Sequence, residues 1–453
     1  MKLFGTDGIR GIANRFPMSV DVALKVGKAL THLLSRQRDH PRILVGKDTR
    51  LSGYMFETAL VAGICSMGGE AILIGPLPTP GIAFLVRDMK ADAGIVISAS
   101  HNPFYDNGIK IFGPDGYKLP DELEGELERM VLEEGFEDLG PTGDRIGRAM
   151  RMVDALGRYL VFLKKTLPQD LDLKGLRIVL DCANGAAYRI APMLFWELGA
   201  EVITLGTAPN GTNINDGCGA LYPEKMARAV VAYGADMGLA LDGDGDRVVL
   251  SDRRGQILDG DRILAICALQ MADRGILKGN AVVATVMSNM GLDIALSRRG
   301  IRVLRTKVGD RYVVEEMKRG GYNLGGEQAG HIVFLDHTTT GDGLLTALQV
   351  IAIMRETGRD LSELAEVMTP LPQVRKDLRV MRKPPFEDIP GFLEAIKEAE
   401  EALDGKGRVL VRYSGTEPVL RIMVEGEDRG QIEGMADRLY QIAKGHIGEG
   451  GWR

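Results

Sequence analysis

Asp242-Gly243-Asp244-Gly245-Asp246-Arg247 sets three carboxylates one residue apart, with glycines between them that permit a tight bend. Folded back on one another, such carboxylates offer hard oxygen ligands to a single cation, which suits Mg²⁺. An EF-hand loop opens similarly but needs Gly at its sixth position and Glu at its twelfth, where this chain has Arg247 and Arg253. A solvated acidic turn is the competing reading, and the repulsion among like charges argues against it. A second set is Gly94-Ile95-Val96-Ile97-Ser98-Ala99-Ser100-His101-Asn102-Pro103, an apolar run that breaks into small polar residues. Open α/β sheets bind ligands beyond the carboxyl ends of their strands, so Ser100 stands where a nucleophile would be exposed. Ser, Asn and Pro are also good turn formers, which leaves a plain turn as the alternative. A Ser-His-Asp hydrolase fits less well, because the strand lacks a GxSxG elbow.

Two further sets are weaker alone. In Gly325-Gly326-Glu327-Gln328-Ala329-Gly330-His331, Glu327 could accept hydrogen bonds from sugar hydroxyls, although a glycine-rich turn with a surface Glu reads the same way. Arg412-Tyr413-Ser414-Gly415-Thr416-Glu417-Pro418, followed by Arg421, combines guanidinium forks, hydroxyls and loop amides, as a phosphate dianion requires; a simple turn between strands is the alternative. Lys110, close after Ser100, is by default a solvated lysine, and its nearness makes a catalytic role possible. Taken together, a nucleophile, a metal loop, a sugar-hydroxyl site and a phosphate site are the inventory of phosphoryl transfer on a sugar phosphate.

Elements must carry these loops. Helical spacing covers Ser19 to Leu34, with Ser19 as N-cap, and Gly53 to Cys65; strand-like runs cover 42–45, 71–74, 94–97 and 109–112. The alternation restarts with strands at 176–180, 202–205 and 237–241 and helices at 187–198 and 223–233. It restarts again with a helix at 261–271, strands at 281–286 and 301–304, a helix at 290–297 and a strand at 331–335. An amphipathic stretch over 155–167 bridges the first two units. Beyond Met368 prolines crowd together, and then come a helix (392–403), two strands (409–413, 420–424) and a last helix (432–443). The expected fold is α/β: three similar α/β domains over 1–153, 154–254 and 255–368, and a smaller α+β domain over 369–453.

Composition bounds the rest. At roughly 150 residues per domain, 453 residues mean several domains. Hydrophobic residues at 45% and charged ones at 26% exclude a disordered or fibrous chain. Fifty-six basic against sixty-two acidic side chains leave no basic excess for nucleic acid. The four cysteines form no CxxC pair, the start lacks a signal-peptide core and no run is long enough to span a membrane. A cytoplasmic protein with neither nucleic acid nor membrane as partner is expected.

The chain resembles the α-D-phosphohexomutase superfamily, most closely its bacterial branch acting on glucosamine phosphates, along essentially its whole length. The resemblance rests on Phe4 to Gly11 (FGTDGIRG), SASHNP with DNGIK (Asp106 to Lys110), DGDGDR, TKVGDRYV (Thr306 to Val313), GEQAGH and RYSGTEP. It implies four domains around a central cleft, with Ser100 as the phosphoserine. Asp242, Asp244 and Asp246, with Ser100 through its phosphate, would hold one Mg²⁺ per chain. Arg10 and Arg247 would orient phosphoserine and substrate, and Lys110 and His331 would assist proton transfer. Glu327 would grip the sugar, while Arg412, Ser414, Gly415, Thr416 and Arg421 would hold the phosphate that is not reacting. The implied reaction interconverts glucosamine 6-phosphate and glucosamine 1-phosphate through a bisphosphate, with a hexose 1,6-bisphosphate as activator and a monomer or homodimer as assembly. A mutase for mannose or glucose phosphates is the runner-up; a silent phosphosugar-binding protein and a phosphatase are the rivals from other classes. Two departures stand out: Ala329 replaces the Ser of the family's Glu-x-Ser, removing one sugar contact, and Cys218 to Glu224 reads CGALYPE rather than CGSTHPE.

Overall fold

The computed structural model describes residues 3–5, 7–133, 135, 139–414 and 418–448. Among them the central strands Ala93–Ile97 and Met237–Leu241 are buried at every position, as strands covered on both faces must be, whereas Glu201–Leu205 and Arg302–Thr306 at sheet edges are half-buried to exposed. The first sheet orders Phe4–Gly5, Gly8–Ile12, Asp106–Phe112, Ala93–Ile97, Arg42–Lys47, Glu70–Pro76 and Ala149–Arg151. Its centre is parallel, and Asp106–Phe112 runs antiparallel to Ala93–Ile97 with Lys110 opposite Val96. The Val20–Ser35 helix starts as expected, Val22 N–H donating to the Ser19 hydroxyl at 3.3 Å. Its Val22, Val26 and Leu30 share a core with Phe56, Leu60 and Ile64 of the Gly53–Ser66 helix and with Ile43, Val45 and Ile95 of the sheet.

The second sheet orders Ile257–Leu258, Val248–Asp252, Met237–Leu241, Arg177–Asp181 and Glu201–Leu205; the third orders Arg302–Thr306, Ala281–Thr285, Leu324–Gly326 and Ile332–Phe334. The bridging stretch is the Ala155–Lys165 helix, ending two residues before the expected Leu167. A three-stranded antiparallel sheet of Gln373–Arg379, Val419–Gly426 and Gly407–Tyr413 packs with the helices Phe392–Leu403 and Arg429–Ile447 around Phe392, Ile422, Val424 and Leu439. The fold class is the expected one, three α/β sheets and a small α+β layer.

Contacts gather the three α/β sheets into one compact unit, residues 1–288 and 296–367. The second unit takes 368–453 together with 289–295, the first turns of the Met290–Ser297 helix, where Met290 N–H donates to Glu425 Oε1 at 2.8 Å. No helix among the described residues is long and apolar enough to cross a membrane.

Candidate functional site

Within the first unit each motif sits where a strand ends. Ser100 follows Ala93–Ile97, the aspartate loop follows Met237–Leu241, and Glu327 and His331 lie in the turn between Leu324–Gly326 and Ile332–Phe334. Ser100 is 1% exposed at φ 51°, a left-handed angle that costs a non-glycine residue about 1–2 kcal/mol. Its Oγ donates to Asp242 Oδ2 at 2.7 Å and lies 3.3 Å from His101 Nδ1.

One carboxylate oxygen from each of Asp242, Asp244 and Asp246 falls within 4.8 Å of the others, and all three residues are buried. Burial first, then Asp246 and Asp244, push the Asp242 carboxyl well up, whereas Lys110 and His331, acting against burial, hold Asp246 well down. Asp244 Oδ1 and Asp246 Oδ1 are buried and accept no hydrogen bond from the described residues. Buried oxygens that accept no hydrogen bond, in an all-oxygen donor set, fit Mg²⁺.

Lys110 is the clearest departure from the default sequence reading. It is 2% exposed instead of solvated, with Nζ 2.9 Å from Asp244, 3.3 Å from Asp7 and 3.5 Å from Asp246. Burial alone would lower its pKa, but Asp244, Asp7 and Asp246 outweigh it and raise it above the usual lysine value. Arg247 donates through Nη1 to His101 Nδ1 at 3.1 Å, and its backbone N–H donates to Asp242 Oδ1 at 3.1 Å. Burial, then Arg247 and Arg10, pull His101 down to about 4, so its ring is neutral near pH 7 and can accept that bond. Arg10 is ion-paired with Asp7.

His331 Nδ1 is 3.6 Å from Asp246 and Nε2 is 3.7 Å from Asp310. Asp246 and Asp310 raise its pKa against burial. Gly341 N–H donates to Nε2 at 3.0 Å, so the neutral ring carries its proton on Nδ1, facing Asp246. Glu327 Oε1 accepts Gly309 N–H at 3.2 Å, and Ala329 is exposed in the same turn. Sequence reasoning missed the partners that close this network. Lys118 pairs with Asp7 and with Asp310, so charges alternate around a ring of Lys110, Asp7, Lys118, Asp310, His331 and Asp246. Asp7 and Asp310 lie inside the FGTDGIRG and TKVGDRYV motifs and could have been singled out there; Lys118 has no such signal.

In the second unit Arg412 and Arg421 face each other directly across the antiparallel ladder. Burial, then Arg421, lowers the Arg412 pKa, and an anion bound to both guanidiniums would relieve the repulsion. Ser414 is buried, its carbonyl accepting from Lys383 Nζ at 2.6 Å. Gly415 and Thr416 lie outside the described residues.

The sequence matches the models for phosphoglucomutase/phosphomannomutase alpha/beta/alpha domain I over residues 1–138, domain II over 158–255, domain III over 259–371 and the C-terminal domain over 376–442. It is 59% identical over 450 residues to a phosphoglucosamine mutase of Syntrophotalea carbinolica, covering 99% of this chain and 98% of that one. The phosphoglucosamine mutase of Citrifermentans bemidjiense is also 59% identical, over 447 residues, with the same coverage. Among solved structures, a phosphoglucomutase/phosphomannomutase family protein from Burkholderia thailandensis superposes with a TM-score of 0.80 at 24% identity, over 98% of this chain and 97% of that one, and so shares the fold. With all four domain models matched in order along nearly its whole length, the chain belongs to the phosphoglucomutase/phosphomannomutase family.

Proposed function

We propose that this enzyme is an intramolecular phosphotransferase that interconverts glucosamine 6-phosphate and glucosamine 1-phosphate, serving UDP-N-acetylglucosamine synthesis in the cytoplasm, with Ser100 carrying the phosphoryl group in transit. The observation that carries the chemistry is the Ser100 hydroxyl, buried and 2.7 Å from Asp242 in a triad of carboxylates. The sugar is inferred from the bacterial relatives, named phosphoglucosamine mutase and 55–59% identical.

Asp242, Asp244 and Asp246, with a phosphate oxygen on Ser100, would hold one Mg²⁺ per chain. That ion would offset charge on the phosphoryl group during transfer. The free hydroxyl of the monophosphate attacks phosphorus, the bond from phosphorus to Ser100 Oγ breaks, and the proton shed by the attacking hydroxyl replaces the one that Lys110 gives to the leaving oxygen. The serine oxygen keeps the bonding pair and is reprotonated. Lys110, protonated between its acidic neighbours, stabilises the charge passing between the two oxygens and can give a proton to the leaving one. Arg10 and Arg247 orient the phosphoryl group, His331 stands ready for proton transfer and Glu327 holds the sugar. The product, a 1,6-bisphosphate, turns over and returns its other phosphate to Ser100; added hexose 1,6-bisphosphate would therefore activate the enzyme. Arg412, Ser414, Gly415, Thr416 and Arg421 would hold the phosphate not reacting, which lets both orientations bind. The domains would divide at 1–153, 154–254, 255–368 and 369–453.

The test is kcat/KM for glucosamine, mannose and glucose phosphates in a coupled assay. A preference for glucosamine phosphate is expected; a clear preference for a sugar without the 2-amine overturns the assignment.

A further inference from the structure

The sharp turn presenting Ser100 is wrapped around one guanidinium. Arg50 is 1% exposed and uses all five of its N–H donors. Nε donates to Asp48 Oδ2 at 2.7 Å, Nη1 to the carbonyls of Pro103 and, at 3.0 Å, Asp106, and Nη2 to the carbonyls of Ser100 and Asn102, both at 2.8 Å. Asp48 Oδ2 also accepts the Ser98 hydroxyl at 2.6 Å, and Ser98 Oγ accepts the Ser100 N–H at 2.9 Å. One carboxylate thus orients two of the groups that hold the backbone of Ser100.

Asn215 closes on the same turn from the other side. It follows the Glu201–Leu205 strand of the second sheet, is 7% exposed, and lays Nδ2 on the carbonyls of Ser100 and Asn102 at 2.9 and 3.1 Å. Its own backbone N–H is fixed to the Ala183 carbonyl at 2.9 Å. Arg50 lies in the loop after Arg42–Lys47, a strand of the sheet that supplies Ser100, whereas Asn215 follows a strand of the sheet that supplies the aspartate loop.

We infer that Arg50 and Asn215 are positioning residues for phosphoryl transfer, clamping the Ser100 carbonyl so that the side-chain Oγ is aimed at Asp242. A residue at φ 51° is free to relax toward ordinary backbone angles unless its surroundings over-determine it. Arg50 shapes the turn, and Asn215 registers the finished turn against the carboxylates. The side chains act on Ser100 through its carbonyl, so their loss should disturb the reacting geometry and spare the sugar contacts. The inference rests on Ser100 being the phosphoryl carrier.

The experiment is single-turnover transfer from phosphorylated enzyme to glucosamine 1-phosphate, with steady-state kcat and KM and a thermal midpoint measured beside it. Transfer from Ser100 of the unaltered enzyme is read first: its absence overturns the phosphoserine reading and the clamp together. Given that transfer, Asn215→Ala should slow it by about 10- to 100-fold with KM changed by less than about threefold. Asn215→Asp keeps the shape but turns an acceptor toward two carbonyls, so it should be slower still, and it carries the test if the alanine variant does not fold. Unslowed transfer in a folded variant, or a loss confined to KM, overturns the clamp while leaving the phosphoserine reading intact.

Discussion

Gly243 offers a test of how closely the two loops must meet. Its φ lies outside the left-handed range, so alanine is barred there by space alone. An added Cβ would stand 2.5 Å from the Ser100 carbonyl oxygen, 2.8 Å from Asn215 Nδ2 and 2.9 Å from Ile214 Cδ1, where ordinary contact begins at 3.4 Å. The aspartate loop and the Ser100 turn must therefore part by about 0.9 Å, the difference between 3.4 and 2.5 Å, or the carbonyl must rotate out of its clamp. A misplacement of about 1 Å at a reacting centre costs about 100-fold, which is about 2.7 kcal/mol of barrier. Gly243→Ala should accordingly lower kcat by roughly 100-fold and stability by about 1–3 kcal/mol, with KM for the sugar phosphate little altered. Mutase turnover in a coupled assay reads the first, urea denaturation the second. Gly157→Ala is the control: nothing lies within 4 Å of its Cβ position in the Ala155–Lys165 helix, so activity should be unchanged. A folded Gly243→Ala enzyme with kcat within about threefold of the unaltered one would falsify the close-approach argument.

Replacing Asp242, Asp244 or Asp246 by Asn should weaken Mg²⁺ binding by at least about tenfold and lower turnover with it; full activity after chelation would contradict the metal role. Asp342, accepting Leu345 N–H at 3.0 Å and Tyr159 O–H at 2.7 Å, is pushed by burial up to about 6 from an ordinary 3.8. A raised folded value means stability fully present below about pH 4 and lost as pH rises through about 6: a rise of about 2.2 at about 1.36 kcal/mol per pH unit, or about 3 kcal/mol, that Asp342→Asn should abolish, so parallel stability profiles of the two proteins between pH 4 and 7 would be the contrary result. Ala329→Ser restores one sugar hydrogen bond worth about 0.5–1.5 kcal/mol, so KM should fall by no more than about tenfold; a larger fall, or a switch of preferred sugar, would show that this turn governs specificity.

The sequence by itself was enough for whatever is local. Three aspartates one residue apart have to lie close whatever surrounds them, and an apolar strand that breaks into Ser98-Ala99-Ser100 has to present those residues at a sheet end. Strands and amphipathic helices with a clear period were legible for the same reason: Met237–Leu241, Met290–Ser297 and Phe392–Leu403 occupy the expected residues. The Gly343–Thr357 helix escaped because it is buried nearly all round and shows no polar stripe. Tertiary structure alone decided what depends on convergence. Lys110 reads as a solvated lysine until Asp7, Asp244 and Asp246 close around it, and Lys118 is an ordinary turn residue until it meets Asp7 and Asp310. Asn215 finds the Ser100 carbonyl across 115 positions of chain, and Gly243 matters only because that carbonyl lies against it. Ligand type and strand end are written in neighbouring residues, whereas a buried charge's partners, and so its protonation and its role, are set by folding distant segments into one low-dielectric site.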